Sequence, residues 1–99
     1  MEQLLYVMFI ERGKSYSKAT REVMKRHVEH LRTLDDNGKL VLCGPTKGYP
    51  GIAGMVILKT DSYEEAEALC KSEPFVAEGY ATYKLFSMSI GDRENNYLL

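Results

Sequence analysis

Two histidines are the side chains of this sequence best suited to proton chemistry, and both lie in His27-Val28-Glu29-His30-Leu31. Imidazole is the one side chain whose unperturbed pKa falls near neutrality. A spacing of three sets the pair side by side on a helix. A carboxylate brought near them by the fold would complete an acid/base site. On a helical wheel of about 100° per residue, the apolar stripe of this segment centres between Leu31 and Leu34. His27 then falls near the centre and reads as a packed core histidine bonded to a backbone group. His30 falls at the margin, where a side chain either lies on the surface or faces a cleft.

Other chemistries have less behind them. Two histidines three apart could share a metal, but a structural site needs further ligands. Cys43 and Cys70 stand far apart and match no metal or redox spacing, so they read as free thiols in a reducing compartment. No motif marks a haem ligand, the Gly48 to Gly54 segment does not end in the lysine and hydroxyl of a phosphate loop, and no nucleophile elbow is present. The expectation is a protein with no cofactor and no bound metal.

The chain has 99 residues, 44% of them hydrophobic and 27% charged, with a net charge of -1. That length suits one compact domain spanning 1–99 with a tail over 91–99. With no basic excess to neutralise phosphates, neither nucleic acid nor an anionic membrane is an expected partner. No apolar run is long enough to cross a bilayer, and the first residues lack the cationic region and cleavage site of a signal peptide. A cytoplasmic location is expected.

The elements that must position the histidines can be read in order. Leu4 to Ile10 is apolar throughout and is broken by Arg12-Gly13-Lys14-Ser15, as in a strand buried on both faces. Ser17 is a candidate N-cap for a helix on which Val23, Met24, Val28, Leu31 and Leu34 recur at helical spacing, and Asn37-Gly38 supplies its end. Leu40 to Cys43 is a second strand, closed by Gly44-Pro45. Thr46 to Gly54 reads as a loop, Met55 to Leu58 as a third strand. Ser62-Tyr63-Glu64-Glu65 is a capping box that opens a second helix. Pro74 stops that helix and leaves Glu73 extended just past its end. Tyr80 to Met88 is the last strand.

The order β-α-β-β-α-β predicts an α+β, ferredoxin-like antiparallel sheet with two helices on one face. The open face of such a sheet should be polar, yet strands one and three are apolar on both sides. A second copy of the chain is the economical cover, so a homodimer is expected, with a bound apolar ligand as the alternative.

With these residues in this order, from Tyr6-Val7-Met8-Phe9 through His30-Leu31, Gly38-Lys39-Leu40, Gly44-Pro45 and Ser62 to Ala66 to Glu73-Pro74-Phe75 and Gly79, the chain resembles the YciI-like (YCII-related) family. The resemblance implies a dimeric α/β barrel and an active site built on a histidine and a carboxylate. It places His30 as the catalytic acid or base and Glu73, where the family usually has aspartate, as the group that orients it. A carboxylate so placed should raise the pKa of His30, with burial opposing. His27 stands where the family often has an arginine, beside Arg26. His27, Arg26, Gly44, Pro45 and Phe75 are the expected substrate-binding residues. The implied chemistry is that of a lyase, isomerase or dehydrochlorinase moving a proton next to a carbonyl of a small-molecule substrate. The alternative is a non-catalytic dimer that binds a small ligand, such as haem.

Overall fold

The computed structural model describes residues 3–99. Four strands form one antiparallel sheet: β1 (Leu4–Arg12), β2 (Leu40–Pro45), β3 (Ile52–Leu58) and β4 (Ala81–Ser89), in the order β2-β3-β1-β4. Helix α1 (Arg21–Asp36) joins β1 to β2, while α2 (Tyr63–Ser72) and the single turn α3 (Pro74–Ala77) join β3 to β4. This is the α+β, ferredoxin-like arrangement expected from the order of elements.

Strand β1 lies centrally and is buried as its composition requires. Tyr6, Met8 and Ile10 point into the core beneath the helices, against Val23 and Leu34 of α1, Ala66 and Cys70 of α2 and Val56 and Leu58 of β3. Val7, between them, faces the other way and is still only 4% exposed. The register puts Val7 opposite Ile57 and Phe86, and Ile57 opposite Leu42. Phe9 meets Phe86 edge to face at 5.4 Å on the same open side. That side is therefore apolar, and Leu42, Phe86 and Met88 on it are largely exposed.

Several boundaries differ from the sequence reading. Thr20, not Ser17, caps α1: its hydroxyl accepts from the Val23 amide at 3.2 Å, and Tyr16–Lys18 forms a separate 3₁₀ turn before it. Gly38 ends α1 at φ +70°, as Asn37-Gly38 predicted. Strand β3 begins at Ile52, so only residues 46–51 form the loop. Gly54 belongs to the sheet because β2 runs so close that a Cβ there would meet the Gly44 carbonyl oxygen at 2.9 Å. Ser62 accepts from the Glu65 amide at 3.1 Å, but the Glu65 carboxylate lies 3.6 Å from Lys39 Nζ, so the reciprocal half of the capping box gives way to an ion pair. The turn α3 was not expected. Pro74 ends α2 but, with φ already fixed, also suits the first position of a new helix.

Candidate active site

Glu73 is the hinge of the site. Its amide closes α2 on the Cys70 carbonyl at 3.3 Å, its backbone is extended at φ -61° and ψ 127°, and its Oε2 accepts from the Val76 amide at 3.3 Å to cap α3. The residue is 1% exposed, the one buried charged side chain among the described residues. An unpaired carboxylate there would cost several kcal/mol of lost hydration. The second oxygen, Oε1, is taken by Nδ1 of His27.

This pairing settles which nitrogen of His27 carries the proton in the neutral ring. A carboxylate only accepts, so Nδ1–H donates and Nε2 keeps the lone pair. The ring is also held at its edge by Phe75, with centroids 4.9 Å apart, and Phe75 stacks on Tyr16 at 5.5 Å. His27, Phe75 and Tyr16 form one wall of a cleft of about 550 Å³ between α1 and the β2–β3 end of the sheet. Gly44, Pro45 and Gly54 line its floor, Met24 and Leu31 its helix side. Gly44 and Gly54 present only backbone there.

Of the expected site residues, the structure brings His27, Gly44, Pro45 and Phe75 into this cleft, with Glu73 behind His27. Two others lie elsewhere. Arg26 points outward, paired with Glu78 at the end of α3 and 3.8 Å from Glu22, and it does not line the cleft. His30 is not the histidine bonded to Glu73. It lies with Glu73 along a gap of about 10 Å³ between Met8, Leu34, Leu58 and Leu69, too small for more than one water. Its pKa is lowered, not raised: burial disfavours the imidazolium, the nearby Glu73 charge opposes this without overcoming it, and His27 adds to the lowering.

Tyr16, Met24 and Cys43 also line the cleft and are not among the substrate-binding residues expected from the sequence. Cys43 had a usable signal, since it precedes Gly44-Pro45. Tyr16 had none beyond its place after the break of β1. Cys70 is fully buried, and burial, then Glu67 and Glu73, push its thiol up to about 12, so it is an inert packing residue. Among the described residues, no three His, Cys, Asp or Glu side chains converge as a metal site would need, and no helix is long and apolar enough to cross a membrane.

Comparison with known proteins agrees with this architecture. A family model described as the YCII-related domain matches residues 4–89. The YciI proteins of Escherichia coli O6:H1 and Shigella flexneri are each 31% identical over 84 residues, covering 77% of this chain and 86% of theirs. Among solved structures, the 5-chloro-2-hydroxyhydroquinone dehydrochlorinase TftG of Burkholderia phenoliruptrix AC1100, in complex with 2,5-dihydroxybenzoquinone, superposes with a TM-score of 0.69 at 16% identity, covering 93% of this chain and 98% of that one. At that identity the likeness is one of fold. The family match over most of the chain and the identity to the YciI proteins establish that this protein belongs to the YCII-related family.

Proposed function

We propose that the protein is a small-molecule acid/base enzyme in which His27, held by Glu73, moves the proton. The observation that supports this is the pair itself: a buried carboxylate fixed by a helix cap, bonded to one nitrogen of a histidine that faces an apolar cleft. Nε2 accepts a proton from an acidic O–H or C–H next to a carbonyl, and Glu73 stabilises the imidazolium that forms. Returning the proton to another atom of the substrate is an isomerisation. Losing chloride after the proton leaves is a dehydrochlorination, the reaction named for TftG. His27 thus takes the catalytic role the resemblance gave to His30, and Glu73 keeps its own.

Chloride release from 5-chloro-2-hydroxyhydroquinone, followed with the absorbance of the quinone product, tests the reading. His27→Asn should lower kcat by about 10²-fold or more, the usual worth of a positioned base, and Glu73→Gln should lower it less. His30→Asn should stay near wild type. Turnover that survives in His27→Asn rejects the assignment. Binding of 2,5-dihydroxybenzoquinone with no turnover of any chlorinated or isomerisable relative moves the protein to the ligand-binding class.

We also propose that two copies pair through the open sheet face. The support is the apolar stripe of Val7, Phe9, Leu42, Ile57, Phe86 and Met88. Sedimentation equilibrium should return twice the chain mass, and Phe86→Asp should return single chains. A wild-type mass near 11.3 kDa, one chain, rejects the dimer.

A further inference from the structure

The charge of this chain is unevenly spread. Residues 12–21 and 46–51, the two connections at one end of the cleft, hold Arg12, Lys14, Lys18, Arg21 and Lys47, five of the thirteen Lys and Arg, and none of the fourteen Asp and Glu. Within this zone Arg12 is set apart by how it is held. It is the last residue of β1 and pairs with Ala81, a core residue, so its side chain leaves the sheet on the helix side. Its amide donates to the Gly51 carbonyl at 2.7 Å and its Nη1 to the Ile52 carbonyl at 2.9 Å. Its guanidinium lies over the Tyr16 ring, 5.5 Å from the centroid. These contacts order the side chain and use one of its five N–H donors. No carboxylate lies within ion-pair distance of it among the described residues, whereas Arg26 has two.

The line of rings connects this cation to the proposed base. Arg12 covers Tyr16, Tyr16 stacks on Phe75, and Phe75 touches His27. On its other side Arg12 lines a shallow hollow with Lys47 and Tyr49, and the two depressions share a rim where Thr46 bonds to Ala53, a cleft residue. A molecule lying along Phe75 and Tyr16 with one end at His27 has its other end at a pre-ordered guanidinium lacking a counter-ion.

We propose that Arg12 is the anion-recognising residue at the mouth of the cleft and that the ligand is a small flat acid. An unsaturated or aromatic body would lie against the Phe75–Tyr16 wall, and a carboxylate or comparable oxyanion would take the free donors of Arg12. Lys47, across the hollow, adds to the field. This rests on the reading of the cleft as the ligand site, and it gives the ligand-binding cation as Arg12 in place of Arg26, which is already paired with Glu78.

Benzoate and its neutral isostere benzamide test it. Binding is followed by NMR on the Met24 methyl and the Phe75 ring signals, which report the cleft, with the urea midpoint of each variant confirming that it is folded. Benzoate should bind about tenfold more tightly than benzamide, the order expected for one charge-assisted contact near solvent. Arg12→Ala should erase that preference; Arg12→Lys should restore part of it; added salt should narrow it in wild type. Equal binding of the two probes at Met24 and Phe75 rejects the anion inference and leaves the cleft reading intact. A benzoate preference that survives Arg12→Ala rejects the role of Arg12. If neither probe moves those signals, the cleft reading fails and this inference falls with it.

Discussion

His27 and His30 stand one turn apart on α1, with one carboxylate near both, yet their surroundings differ in kind. At His27 the carboxylate is a bonded partner, the Phe75 ring packs edge to face with the imidazole, and the residue lines an open cleft. At His30 the same carboxylate acts only through its field, aliphatic side chains close the space, and burial wins. Position on a helix alone does not separate the two; a partner for one nitrogen and an adjoining cleft do, and they are what recommend His27 as the proposed base.

Removing the carboxylate should break this contrast most severely. Glu73→Ala takes away the partner of His27 and the cap of α3 together, and stability should fall by about 3 kcal/mol, in the range for leaving one member of a buried pair alone. The urea midpoint at neutral pH measures it. A loss no larger than that of an exposed substitution would mean that Glu73 does not hold the site together.

A subtler change sharpens the contrast without unfolding anything. In wild type, nitrogen shifts of the neutral His27 ring should show the proton on Nδ1. Glu73→Gln keeps the shape but offers an amide, so the two tautomers should mix at His27, with little change at His30. Mixed tautomers already present in wild type would show that the pair does not persist in solution.

The smaller effect is the pH response of His30. Its lowered pKa means that the unfolded chain takes up a proton more readily than the folded one as the solution is acidified. The stability it contributes is present above the ordinary imidazole value of about 6.5 and is lost as pH falls toward the lower folded value. The urea midpoint should therefore drop less on acidification in His30→Gln than in wild type. An identical slope would place His30 in a wetter setting than the structure gives it. Smallest of all, Arg26→Ala should leave probe binding in the cleft unchanged, because the exposed Arg26–Glu78 pair touches only the outer side of α3. A clear loss of binding there would return Arg26 to the ligand site.

The elements were largely legible because local rules govern them. The two-sided burial of β1, the Asn37-Gly38 stop and the Ser62 cap follow from composition and capping within a few residues. The misplacements have equally local causes. Ser17 lost to Thr20 because a 3₁₀ turn intervenes. Gly54 looked like loop because glycine usually marks one, yet here it admits a neighbouring strand. The turn α3 escaped because the proline that ends one helix also begins the next.

What the sequence determined by itself was the set of parts: one order of elements, an amphipathic α1 carrying two histidines, a Glu-Pro-Phe segment held just past a helix, and a surplus of cations after β1. These depend on periodicity, capping and charge, which act over a few residues. Which histidine meets the carboxylate was decided only in three dimensions. Residues 27 and 73 are 46 positions apart, and their meeting depends on how α3 seats against α1. The wheel put His27 toward the core and His30 at the margin of the apolar stripe, on the surface or facing a cleft. The structure sets His27 on the cleft, while Leu34, Leu58 and Leu69 line the small gap beside His30. The space on the far side of a helix is set by its packing partners, and no pattern within the helix encodes it.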